Sequence, residues 1–166
     1  MQRRRVLAGA AALVGLTGCL GGSRPELGIH TGVGRLHPAD ERYLTDGLEP
    51  GGVRSEYAAA VPDAAGDAVG SAAPDSLAER LDGRRDAEQF HVLTELRSTP
   101  TEPLRFGTGQ AVGWENGAIR FTTSVTPVES LEGELTTADE LVYTAVWTVR
   151  PGIEELPDEV ELVVET

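Results

Sequence analysis

Leu141-Val142-Tyr143-Thr144-Ala145-Val146-Trp147-Thr148-Val149-Arg150 is the stretch on which the reading of this chain turns. Leu141, Tyr143, Ala145, Trp147 and Val149 fall on one side of an extended backbone, and Val142, Thr144, Val146 and Thr148 fall on the other. The period is two, which is that of a strand, and both sides are largely apolar. A strand covered on both faces belongs in the middle of a sheet, so Leu141–Arg150 is expected to be central.

The neighbouring text repeats the signal. Phe90 to Arg97 reads as a strand ended by Ser98-Thr99-Pro100. Gln110–Glu115 and Ala118–Thr126 flank Asn116-Gly117, the dipeptide that favours a type I′ hairpin turn, and Asn116 is the only Asn in the chain. In the second arm Ile119, Phe121, Thr123 and Val125 should face the core. Val160, Leu162 and Val164 alternate with Glu161, Val163 and Glu165 in a last strand, and Leu27, Ile29, Thr31 and Val33 alternate in a first one. Val53, Ser55, Tyr57, Ala59 and Val61 suggest a further strand. A helical turn is expected around Asp40–Leu44. A short helix is expected over Asp75–Leu81, with Leu77 and Leu81 one turn apart and Gly83 beyond its end. Residues 62–74, rich in Ala, Gly and Asp, read as a mobile loop. Six or seven short strands with close turns predict a mainly β fold, a β-sandwich-like or related β-rich domain with one or two short helices.

The chain opens differently. Met1-Gln2-Arg3-Arg4-Arg5 precedes an apolar, small-residue run from Val6 to Leu16. A basic start before about a dozen apolar residues has the form of an export signal, and the run is shorter than the roughly 20 residues needed to span a bilayer. Arg3-Arg4 followed by Arg5, Val6 and Leu7 fits the twin-arginine pattern of proteins exported already folded. Leu16-Thr17-Gly18-Cys19 resembles a lipobox, in which an apolar residue and two small ones lead to the cysteine that is lipidated. Cys19 is the only cysteine, so the chain can form no internal disulfide. The expected organisation is a signal over 1–18, a lipidated Cys19 with a flexible tether over 19–25, and one β-rich domain over 26–166.

Composition points the same way. All 14 basic residues are Arg, Lys is absent, and the 27 acidic residues are scattered along the chain. Dense carboxylates keep a surface hydrated and soluble in brine, where a Debye length of about 3 Å at 1 M salt also screens their mutual repulsion. Signal and composition together resemble haloarchaeal exported lipoproteins. That resemblance implies that the anchored domain lies at the outer face of the cytoplasmic membrane, with the membrane engaged through lipid on Cys19 and a possible protein partner at the cell surface. The middle of the chain is also similar to a small β-rich domain of protease-associated lipoproteins. The matching pieces are Tyr57–Val61, Asp75–Leu81 and Phe90–Leu96, without the Gly-Gly-Tyr turn of that pattern. No basic patch follows the signal, which disfavours nucleic-acid binding.

Residues that carry chemistry are sparse. The sequence contains no His-Glu-x-x-His and no Gly-x-Ser-x-Gly. Gly32-x-Gly34 and Gly107-x-Gly109 lack the spacing of a dinucleotide loop. His30 and His37, with Asp40 and Glu41 behind them, match no established ligand spacing and read as surface-loop histidines, while His91 is expected on the solvent side of its strand. Paired acids such as Asp139-Glu140, Glu154-Glu155 and Asp158-Glu159 carry little information in so acidic a chain. Trp114 and Trp147 are expected in the core rather than at a ligand. No catalytic, cofactor or metal residue is therefore assigned, and the expected function is a non-catalytic binding or interaction module. The alternative is a small metal-dependent or hydrolytic enzyme built on His30, His37 and nearby acids.

Overall fold

The computed structural model describes residues 28–61, 68–81, 89–108, 110–115, 118–150 and 159–165. Eight strands, numbered in chain order, are β1 (Gly28–Pro38), β2 (Tyr57–Ala60), β3 (Phe90–Ser98), β4 (Leu104–Phe106), β5 (Ala111–Glu115), β6 (Ala118–Pro127), β7 (Leu141–Arg150) and β8 (Val160–Glu165). One α-helix, α1 (Asp75–Leu81), and a 3₁₀ turn at Gly133–Thr136 complete the described elements. The fold is mainly β, as expected from the sequence.

The first sheet has the order β1-β7-β3-β2, all antiparallel, with β7 in an interior position. In the second, β6 is central. It pairs antiparallel with β5 on one edge and parallel with β8 on the other, and its last residues pair with β4. The antiparallel pairing of Ala111–Glu115 with Ala118–Thr122 matches the expected hairpin, although residues 116 and 117 lie outside the described residues.

The alternation along β3 and β7 produces two cores. Phe90, Val92 and Leu96 of β3, with Ala145, Trp147 and Val149 of β7, face Phe106, Ile119 and Phe121 of the second sheet. Phe121 and Trp147 meet at 5.5 Å between ring centroids, and the Trp147 indole N–H donates to Thr94 Oγ1 at 2.8 Å. Burying Trp and Tyr works energetically because the polar end finds such a partner. The opposite face of the first sheet carries Leu93 and Val146, which pack with Leu44, Leu77 and Leu81. A layer made of α1 and the connection after β1 thus covers this sheet. That layer is why every residue of β3 is buried, including His91 at 4% exposure, which the alternation alone had placed toward solvent.

Three local expectations change. Asp40–Leu44 is not helical: a turn after Pro38 leads to a β-bridge between Leu44 and Val69. The second strand is shorter than its alternation suggests, because Ser55 takes a positive φ of 61° and Val53 remains 75% exposed. In β1, Ile29 pairs with Val149 but Thr31 with Thr148, so His30 is the extra residue of a bulge. The bulge exchanges the faces, so that Ile29 packs on the inner core while Val33 stands opposite Val146 on the other side. From the Ala/Gly/Asp stretch, Gly70 donates to the Tyr43 carbonyl at 2.8 Å, and Ala68, Val69 and Ala73 pack against the helix cluster. Residues 62–67 lie outside the described residues.

Candidate functional site

The covered face of the first sheet holds a row of polar side chains whose placement follows from register. Thr144 lies opposite Arg35 of β1 and Glu95 of β3, and Val142 lies opposite His37 and Arg97. Thr144 therefore sits between Glu95, directly across, and His37, one step along the neighbouring strand. Its Oγ1 is 2.9 Å from Glu95 Oε1 and 2.8 Å from His37 Nε2. His37 Nδ1 lies 2.8 Å from the Pro38 carbonyl and must donate to it, which fixes the proton on that nitrogen. Tyr43 stacks on the imidazole with centroids 3.6 Å apart. His37, Glu95 and Thr144 are 2%, 3% and 0% exposed.

The connection between β1 and β2 closes over this row. Leu48 N–H donates to Glu95 Oε2 at 2.6 Å. Gly47 allows the approach, since a Cβ there would overlap the Glu95 carboxylate. Arg97, 1% exposed, donates through Nε to Glu56 Oε2 at 3.1 Å and through Nη2 to the Glu49 carbonyl, and its Nη1 lies 2.6 Å from Glu140 Oε1. That last contact is an ion pair rather than an aligned hydrogen bond. Glu140 Oε2 also accepts from Gly51 N–H at 2.9 Å. One guanidinium thus ties the connection, β3 and the entry to β7 together, as a planar fork with several donors can. Arg97 is the buried member, so removing its acidic partners would strand a buried cation, which is the costly case.

Burial dominates the titration of the row. It lowers His37 to about 4, opposed by the backbone groups of Pro38 and Glu41. It raises the Glu95 carboxyl above the ordinary glutamate range, opposed by the Leu48 N–H and the Thr144 hydroxyl. Both groups are pushed toward their neutral forms. A hydroxyl beside an oriented imidazole has the outline of a nucleophile and base, but Thr144 is fully buried. The geometry holds a loop to a sheet.

The residues singled out from sequence fall into separate places. Arg3, Arg4, Leu16, Thr17, Gly18 and Cys19 lie outside the described residues. The backbone of His30 is at the β1 bulge, seven residues from His37 along an extended strand, on the order of 20 Å. His37 is consumed by the buried row rather than lying on a surface loop, and Asp40 is exposed on the following turn. Among the described residues no group of three or more His, Cys, Asp or Glu side chains is placed to hold a metal ion. Trp147 is a core residue and Trp114 packs against the same core. Glu95, Arg97 and Thr144 were missed. Their signal was charge inside an otherwise apolar strand, as in Thr94-Glu95-Leu96-Arg97, where a charged side chain must find a partner if the strand is covered. Comparison with protein-family models, with curated proteins and with solved structures gave no match.

Proposed function

We propose that the protein is exported, lipid-modified at Cys19, and displays its β-rich domain at the outer face of the cytoplasmic membrane as a non-catalytic binding or interaction module. The observation that carries this reading is Leu16-Thr17-Gly18-Cys19, which ends a basic-then-apolar start and contains the only cysteine of the chain. A diacyl anchor gains about 0.8 kcal/mol per buried CH₂, and two chains hold where one binds only marginally. The inward use of His37, Glu95 and Arg97 supports the non-catalytic part: these groups serve to fasten the fold.

The proposed anchor limits how far the displayed domain can stand from the membrane. Cys19 is nine residues before Gly28, so the first strand begins within about 30 Å of the anchor. Gly28 pairs with Arg150, and Phe90 with Val149, at one end of the first sheet. Pro38, Ser98 and Leu141 meet at the other end, close to Glu56, Arg97 and Glu140. In this reading the end carrying Gly28 lies nearer the anchor and the end stapled by Arg97 farther from it. Fractionation of native cells tests the anchor. The wild-type chain is expected in the membrane pellet and released by detergent but not by changes in salt, whereas Cys19→Ser is expected in the soluble or shed fraction. Equal partition of the two would sink the proposal.

A further inference from the structure

We infer that Glu95 and His37 share a single proton through the Thr144 hydroxyl, and that this proton latches the connection between β1 and β2 onto the sheet. The inference follows from counting donors. Thr144 has one hydroxyl proton but lies within hydrogen-bond distance of two groups, Glu95 Oε1 at 2.9 Å and His37 Nε2 at 2.8 Å. His37 Nδ1 already spends its proton on the Pro38 carbonyl. If Glu95 were ionised and His37 neutral, both neighbours of Thr144 would be acceptors, and one would face the hydroxyl oxygen with no proton between them. One additional proton resolves this. Placed on Glu95, it gives an unbroken chain in which Glu95 Oε1–H donates to Thr144 and Thr144 donates to His37 Nε2, while Glu95 Oε2 accepts from Leu48 N–H.

Arg97 and Arg42 pull Glu95 toward its ionised form, but burial outweighs them, and both already have carboxylate partners. Arg97, on the same face of β3, already has Glu56 and Glu140 as counterions, and Arg42 reaches Glu49 at 2.9 Å. Neither cation depends on Glu95 for a counterion. Around His37 stand Arg35 on its own strand, Asp40 and the backbone of Glu41 on the following turn, and Tyr43 stacked on the ring. Arg35 disfavours an imidazolium and Asp40 favours one, while burial opposes charge on either member. The resting state is therefore protonated Glu95 with neutral His37. Loss of the shared proton leaves a buried carboxylate beside an imidazole lone pair. Ionisation makes Glu95 a stronger acceptor for Leu48 N–H, but it leaves the charge in a site that the overlying connection closes off from water, and lifting that connection at its midpoint, Leu48, is what rehydrates it.

The test is nuclear magnetic resonance of the full chain, labelled with ¹³C at glutamate carboxyl carbons and ¹⁵N at histidine, in high-salt buffer across pH 5 to 9. The expected result is a Glu95 carboxyl carbon still at its protonated position near neutral pH, where exposed glutamates are ionised, and a His37 ring with a proton on Nδ1 only. In Glu95→Gln, whose amide reproduces the donor to Thr144 and the acceptor for Leu48, the Leu48 amide should keep its exchange protection at pH 9, whereas the wild type loses it. A Glu95 carbon that titrates with the exposed glutamates, or a His37 ring protonated on both nitrogens at neutral pH, would overturn the inference. The wild-type spectra decide the question even if Glu95→Gln does not fold.

Discussion

Glu95 and His37 show how a buried residue takes its chemistry from what covers it. An ordinary histidine would charge as the pH falls through 6.5, but His37 resists until about 4 because burial disfavours the imidazolium. The native state therefore binds fewer protons at this group than the unfolded chain between these values, and stability contributed by neutral His37 is present above pH 6.5 and lost as the pH falls toward 4. Taken alone, the shift is worth ~3 kcal/mol at its limit. The raised Glu95 has the opposite sign: its contribution is present below the ordinary glutamate range and is lost as the pH rises through its native value. In His37→Gln the acid limb of a thermal-melt series between pH 6.5 and 4 should flatten, and an unchanged acid limb would place the titration elsewhere. At this scale the sequence was a poor guide. His37 reads as a surface-loop histidine and His91 as the solvent side of an alternating strand, and nothing in their immediate neighbours announces that α1 and the connection after β1 will cover the face they occupy.

The strands themselves were more legible, because period two is imposed by backbone geometry and survives any tertiary context. Leu141–Arg150 was recognisable as interior from its two apolar faces, and Ile119, Phe121 and Thr123 are buried as their alternation required. What failed was local. The bulge at His30 is one inserted residue, invisible to a pattern that tolerates Gly and His, and it reverses the faces beyond it. The three-residue β4 is too short to show a period. Glycines within strands have equally local meanings. A Cβ at Gly32 would overlap the Trp147 ring, which its bond to Thr94 holds in place, whereas a Cβ at Gly113 meets nothing within 4 Å. Gly32→Val should thus cost about 1–3 kcal/mol through overpacking. Gly113→Thr should be neutral or stabilise the chain by up to about 1 kcal/mol by relieving strand glycine entropy. Paired denaturant titrations compare the two, and equal effects would contradict the cross-strand aromatic packing described above.

Across the whole molecule, one face of the first sheet faces the second sheet and the other faces a thin layer of loop and helix. Charged residues enter the buried region only where that layer supplies partners, as Arg97 shows with Glu56, Glu49 and Glu140. The acidic balance of the chain, 27 acidic residues against 14 Arg, is a property of its surface and solvent and says little about the fold. The proposed address rests on residues 1–19, and there the sequence is more informative than any packing, because export signals are read as short linear text. The most direct test is the intact mass of the native protein extracted from membranes. The account predicts a chain that begins at Cys19, lacks residues 1–18 and carries the added mass of a two-chain lipid. A chain that retains Met1 or Gln2 and has an unmodified Cys19 would contradict it.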